Sequence, residues 1–308
     1  KTLEQQLQQL PDGPKVYAAA THFSSQGHFR PTRGTPREIR LLRRGEVTQP
    51  GPVVGPGRLP LDEQDEAALP LSPRSSPTSL SFKPDGTRFY VITLSDDSVA
   101  EYSLSTAWDI SSASYVRSFS VAADESIPTG LFFKPDGARM YVVGENADMV
   151  FEYLLSTPWN ISTATSGKTL SVLSTGTQAY GLFFKSDGTR VYGVNADVDK
   201  FFQYDLSTAW DLATAGSPSI LALTQSTTTF SLFIRDDGQR AFIVDLSGGG
   251  VLEYSLSTPW DLTSASYERN LDTSTENGSP TGIFFKPDGT RMFVSAFGNA
   301  AIHAYTLS

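Results

Sequence analysis

The sequence predicts an all-β fold: one five-bladed β-propeller of four-stranded blades, each about 51 residues long, carried behind an extended N-terminal arm. Two observations predict it. A turn glycine recurs at Gly86, Gly137, Gly188, Gly238 and Gly289, with spacings of 51, 51, 50 and 51 residues. Other markers keep step with it: Arg88, Arg139, Arg190, Arg240 and Arg291, then Tyr102, Tyr153, Tyr204, Tyr254 and Tyr305, then Trp108, Trp159, Trp210 and Trp260. A fixed period near fifty residues in a strand-rich chain is the mark of a propeller blade.

In chain order, Thr2 to Leu10 reads as a short helix. Thr2 can cap it with Gln5 at the capping-box position, Leu3, Leu7 and Leu10 share one face, and Pro11-Asp12-Gly13-Pro14 ends it. A helix this short is marginal alone, so the leucine stripe should pack on its own domain or on a partner. Residues 11–77 contain no repeat and hold eleven of the nineteen prolines. Lys15 to Phe23 and Arg37 to Thr48 look extended, whereas Pro50-Gly51-Pro52, Gly55-Pro56-Gly57 and the acidic run Asp62 to Glu66 read as separators. That composition suits an arm lying on a surface better than an independent core. Arg30, Arg33, Arg37, Arg40, Arg43 and Arg44 form a basic run, either a solvated edge strand or a seat for an acidic neighbour.

Each repeat then reads as strands A to D. Strand A is Thr129 to Lys134 in the second copy, and Lys134-Pro135-Asp136-Gly137 turns into strand B, Arg139 to Val143. Proline suits the second turn position and glycine accepts the left-handed conformation of a short hairpin. Strand B is apolar at consecutive positions, as burial on both faces requires. Strand C runs into Glu152-Tyr153, and strand D follows the Trp159 loop. One column of strand A is always small (Ser79, Gly130, Gly181, Ser231, Gly282), as expected where inner strands crowd a central axis. The fifth copy ends after strand C. Counting back one period from Phe119 places its strand D at Ala67 to Leu71, so the expected domains are an arm over residues 1–66 and a propeller over residues 67–308, closed by strand 67–71.

The repeat core F-K-P-D-G-T-R-x-Y-V resembles the F-S-P-D-G-x-x-x-Y-V repeats of YVTN-type bacterial propellers. The longer unit, F-K-P-D-G-T-R followed by E-Y-S-L-S-T-A/P-W-D-I/L-S-x-A-S, resembles tandem repeats in structural proteins of tailed bacteriophages and in marine bacterial surface proteins. The resemblance covers residues 77–308 and implies a propeller fold and a virion or cell-surface setting.

Bulk properties narrow the function. The chain has 308 residues, no cysteine and no apolar run of membrane-spanning length, so neither disulfides, thiolate metal sites nor membrane insertion are expected. Lys1-Thr2-Leu3-Glu4 does not read as the start of a signal peptide. Residues 1–77 carry ten Lys or Arg against eight Asp or Glu, and the rest fourteen against twenty-five, a net of −11. Such a propeller repels phosphate backbones, and no nucleic-acid partner is expected.

The search for chemistry is mostly negative. His22, His28 and His303 lack metal-ligand spacing, no nucleophile or nucleotide motif is present, and strand A carries no carboxylates. No cofactor, metal or catalytic residue is expected, and the chain reads as a non-enzyme. The tryptophans read as wedges between blades, with Asp109, Asn160, Asp211 and Asp261 fixing their turns; one glycan site per blade is the alternative. Arg139 and Asp136, with their counterparts, read as a local ion pair or a backbone clamp.

The A–B and C–D connections share one rim, which is uniform between copies. The B–C and D–A loops share the other, which varies, and freedom from repeated geometry is where binding is usually built. Candidate ligand residues there are Asp97, Asp148, Thr177, Asp199 and Thr227. The column Asp97, Asp148, Asp199 would suit a hard cation if it met further oxygens, but Gly249 and Ala300 interrupt it. Partner docking falls to Leu3, Leu7, Leu10, Arg40, Arg43 and Arg44. The leading expectation is a virion protein whose residues 1–60 contact other virion proteins and whose variable rim meets host cell-surface polysaccharide. A secreted lectin or adhesin, extracellular or on the cell surface, comes second and a propeller hydrolase third.

Overall fold

The structure is a computed structural model that describes residues 39–42, 50–54, 61–71, 74–225, 228–273 and 279–307. The chain forms two units, residues 1–60 and 61–308. In the first, β1 (Ile39–Leu42) pairs antiparallel with β2 (Pro50–Val54). The stretch around Pro50 is thus a strand and not a separator; a two-stranded ribbon has only edges, where proline's missing N–H is tolerated. The expected helix at 2–10 and extended segment at 15–23 lie outside the described residues.

The second unit is a five-bladed propeller of four-stranded antiparallel sheets. Blade 1 is β4 (Pro77–Phe82), β5 (Arg88–Thr93), β6 (Ser98–Leu104) and β7 (Ala113–Ser120). Blade 2 is β8 (Pro128–Phe133), β9 (Arg139–Gly144), β10 (Met149–Leu155) and β11 (Ala164–Ser171). Blade 3 is β12 (Ala179–Phe184), β13 (Arg190–Asn195), β14 (Lys200–Asp205) and β15 (Ser219–Ala222). Blade 4 is β16 (Thr229–Ile234), β17 (Arg240–Asp245), β18 (Gly250–Leu256) and β19 (Ala265–Asp272). Blade 5 joins β20 (Pro280–Phe285), β21 (Arg291–Ala296) and β22 (Ala301–Leu307) to β3 (Leu61–Pro70).

That last pairing closes the ring. Ala301 faces Pro70, Ile302 faces Leu69, Ala304 faces Ala67, and the ladder continues to Leu307 opposite Leu61. The strand therefore begins at Leu61, and the acidic run at 62–66 belongs to it. Being outermost, it tolerates Pro70, whose missing N–H costs no inner ladder bond.

Burial follows strand position. The second strand of every blade is buried at five consecutive positions, because both its faces meet neighbouring blades. Outermost strands alternate or lie mostly exposed. Near the axis the backbones nearly touch: a Cβ on Gly181 would lie 2.7 Å from the Ser231 Cα, and one on Gly130 2.9 Å from the Gly181 carbonyl carbon. Among the described residues no helix is long and apolar enough to cross a membrane.

Candidate functional site

On the uniform rim, the repeated residues hold blades to one another. Each tryptophan adopts a left-handed backbone, with φ of 65° at Trp108, 64° at Trp159 and Trp210, and 66° at Trp260. This conformation is rare for a bulky residue and is maintained only where packing demands it. The indole of Trp159 lies over Phe133 of its own blade at 5.3 Å and Tyr90 of the preceding blade at 6.2 Å. Trp108 in the same way joins Phe82 to Phe293 of blade 5. The next residue caps a 3-10 turn: Asp109 accepts from the Ser111 N–H, and Asn160, Asp211 and Asp261 repeat the contact. Wedge and turn are as the sequence implied.

The arginine is a clamp of longer reach than a local pair. Arg139 Nη1 donates to the Trp210 carbonyl at 2.9 Å, Arg190 to that of Trp260 at 2.7 Å, and Arg291 to that of Trp108 at 3.0 Å. Tyr90, Tyr141 and Tyr192 donate to the carbonyls of Trp159, Trp210 and Trp260. Arg139 also meets the buried Glu152 of its own blade, while Arg240 and Arg269 converge on Glu253 at 2.7 and 2.6 Å. The turn aspartate takes other partners. Asp136 accepts from Lys134 Nζ at 2.6 Å and from the Ala138 N–H at 2.9 Å, and Asp85 does the same with Lys83 and Thr87. Partial burial works to raise the Asp85 carboxyl, and its hydrogen bonds with Lys83 and Thr87 outweigh it, holding the group at about 2.

The variable rim carries the aspartate column, and its geometry accounts for that column. Asp97, Asp148 and Asp199 have φ of 43°, 49° and 46°, and Gly249 and Ala300 take the same left-handed conformation at 62° and 51°. In all five blades the carbonyl of this residue accepts from the N–H that follows strand D, at Val121, Val172, Leu223, Thr273 and Leu71. The column is the position where the B–C turn requires positive φ, which aspartate tolerates better than most residues. Among the described residues no group of three or more His, Cys, Asp or Glu side chains could hold a metal ion.

Two of these carboxylates are nonetheless distinctive. Asp148 Oδ1 and Asp199 Oδ1 are buried without a hydrogen-bond partner among the described residues. Burial pushes the Asp148 carboxyl up, with Asp197 and Glu145 adding to the effect; burial and then Asp245 and Asp197 do so for Asp199. Thr177 is exposed and donates through its hydroxyl to Asp197 at 2.8 Å. Thr227 lies outside the described residues, as do Leu3, Leu7, Leu10, Arg43 and Arg44; Arg40 falls on β1. Sequence reading missed the residues that tie this rim together. Glu125, almost fully buried, accepts from the backbone N–H groups of Ile127, Asn146 and Ala147, and Glu145 accepts from Tyr180 at 2.5 Å and Gln178 at 3.1 Å. Each is unique to one copy, so no periodicity marks it.

A cavity of about 390 Å³ lies instead on the axis, where the uniform rim begins. All five inner strands line it, and none of Asp97, Asp148, Thr177 or Asp199 does.

No family model matches the chain, and no curated protein sequence does. Solved structures similar to it include the periplasmic gluconolactonase of Pseudomonas aeruginosa, at 14% identity over 79% of this chain and 68% of that one, with a TM-score of 0.49. A candidate 6-phosphogluconolactonase from Bacteroides uniformis shares 10% identity over 71% of this chain, with a TM-score of 0.46; the chain spans 63% of its length. Hydrazine synthase of Kuenenia stuttgartiensis shares 11% identity over 76% of this chain and 96% of that one, at 0.46. At such identities the likeness concerns the fold alone. The expectation of a non-enzyme is not carried forward: solved propellers similar to this chain bear the names of lactonases.

Proposed function

We propose that the chain is a display protein of a tailed-bacteriophage virion, attached to other virion proteins through residues 1–60 and presenting its variable rim to host cell-surface polysaccharide. The observation that supports this reading is the division of labour between the rims. On the uniform side the tryptophan, arginine, tyrosine and turn residues are spent on blade-to-blade contacts. On the other, loops of blades 2 and 3 differ from their counterparts and offer exposed polar groups such as Thr177 and Asp197. The repeat unit itself resembles those of tailed-phage structural proteins.

Attachment is steered by Arg40, Arg43 and Arg44 toward an acidic seat, and is weakened by salt. The test is to isolate the particle that carries the chain and repeat assembly with a chain lacking residues 1–60. Loss of the chain from the particle, with retention of the full chain falling as salt rises, is expected. Normal occupancy of the truncated chain overturns the anchor. Recovery of the full chain on bacterial surfaces and from no particle overturns the virion setting in favour of an adhesin.

A further inference from the structure

Five-fold symmetry predicts an aromatic ring around the axis, and the ring has a gap. Phe132, Phe183, Phe233 and Phe284 occupy the same place on strand A of blades 2 to 5, and blade 1 has Ser81 there. The phenylalanines meet edge to face, at 5.5 Å between Phe132 and Phe183, 5.3 Å between Phe183 and Phe233, and 5.8 Å between Phe233 and Phe284. All five residues line the axial cavity. The four rings are only partly buried, so they present apolar surface to that space. Ser81 is 7% exposed and lines the cavity where the other four blades have phenylalanine. Its side chain opens the space that a fifth phenylalanine would fill. A second departure lies across the ring, where the turn residue that is proline in three blades becomes Ser186 and Asp236 in the adjacent blades 3 and 4.

We propose that this cavity is a ligand site for a planar aromatic of one or two rings carrying one hydroxyl, the rings seated among the phenylalanines and the hydroxyl bonded to Ser81. Its volume is within the range of small-molecule pockets, about 300–1,000 Å³, and its composition, an apolar wall with a few placed polar groups, is typical of them. Four phenylalanines favour an aromatic guest, which they can meet both face-on and edge-on. Serine hydroxyls on an otherwise apolar wall, Ser81 among them, find no partner in a purely hydrocarbon guest, which selects for a guest with a hydrogen-bonding group. The acidic charge of the propeller and the nearby Asp236 disfavour an anionic one. This site is on the opposite rim from the glycan surface proposed above and does not depend on that reading.

The experiment is titration of the full chain with 2-naphthol, followed by probe fluorescence, beside naphthalene as the hydrocarbon control. Wild type is expected to bind 2-naphthol several-fold more tightly than naphthalene. Ser81→Phe, which supplies the residue present in the other four blades, should weaken binding at least ten-fold while leaving the melting temperature unchanged or higher. Ser81→Ala should keep naphthalene binding and lose the preference for the hydroxyl. Displacement by N-acetyltyrosine amide would assign the site to a tyrosine side chain offered by another protein, and failure to displace would assign it to a free aromatic. No binding of 2-naphthol by wild type up to its solubility, or equal binding by Ser81→Phe, would overturn the proposal.

Discussion

The fifth repeat provides an internal control for the tryptophan wedge. Gly137 sits in the A–B turn at φ 73°, and a Cβ there would collide with the indole of Trp159. Gly289 has the same φ of 73°, but with nothing among the described residues within 4 Å. Alanine at either site carries the backbone cost of a Cβ in left-handed conformation, about 1–2 kcal/mol. Only at 137 must the tryptophan also move, giving up its stacking on Phe133 and Tyr90 and the Tyr90 hydrogen bond to its carbonyl at 2.6 Å. Full loss of a buried tryptophan costs about 3–5 kcal/mol and Trp159 is half-buried, so Gly137→Ala should lose roughly 2 kcal/mol beyond Gly289→Ala. Urea unfolding followed by circular dichroism measures both. A double-mutant cycle identifies the cause: in a Trp159→Ala background, Gly137→Ala should fall back to about 1–2 kcal/mol. Equal losses for the two single variants, or an undiminished loss in the tryptophan-free background, would refute the wedge as the reason these glycines recur.

Glu253→Ala should cost about 3 kcal/mol in unfolding free energy, since Arg240 and Arg269 both lose their buried counter-ion. A cost under about 1 kcal/mol in denaturant titration would show the two guanidinium groups relaxing into solvent. Asp85, Asp187 and Asp288 are held at about 2, below the ordinary 3.8, so the stability they add is present above 3.8 and is lost as pH falls toward 2. Asp148 and Asp199 are raised and act oppositely, gaining stability on protonation as pH falls. Thermal melts should therefore hold or improve from pH 7 to about 4.5 and decline steeply between about 4 and 2; a flat profile through that lower window would contradict the turn assignments. Removal of residues 1–71 should lower the melting temperature by about 10 °C or more beyond removal of residues 1–60, because only the former strips β3 from β22. Equal melts would mean that strand adds nothing to ring closure.

What the sequence determined by itself is whatever recurs within one repeat. The blade length follows from the spacing of the five turn glycines, strand identity from runs such as Met140 to Val143, and the closing strand from the absence of a fifth strand D. These are local relations, settled by backbone preference and side-chain period, and counting suffices to find them. The tertiary structure decided whatever passes between blades. Arg139 reaches the Trp210 carbonyl rather than Asp136 because the next blade brings that carbonyl to it. The same limit applies at the variable rim: the sequence names Asp97, Asp148 and Asp199 as candidate ligands, and only the structure shows that each also fills a left-handed turn position shared with Gly249 and Ala300. Ser81 carried no signal as one serine among many and acquired meaning only when five strands met at the axis and four of them brought phenylalanine. Chemistry at a symmetry axis is assembled from residues about fifty positions apart, each unremarkable in its own repeat, and only packing brings them face to face.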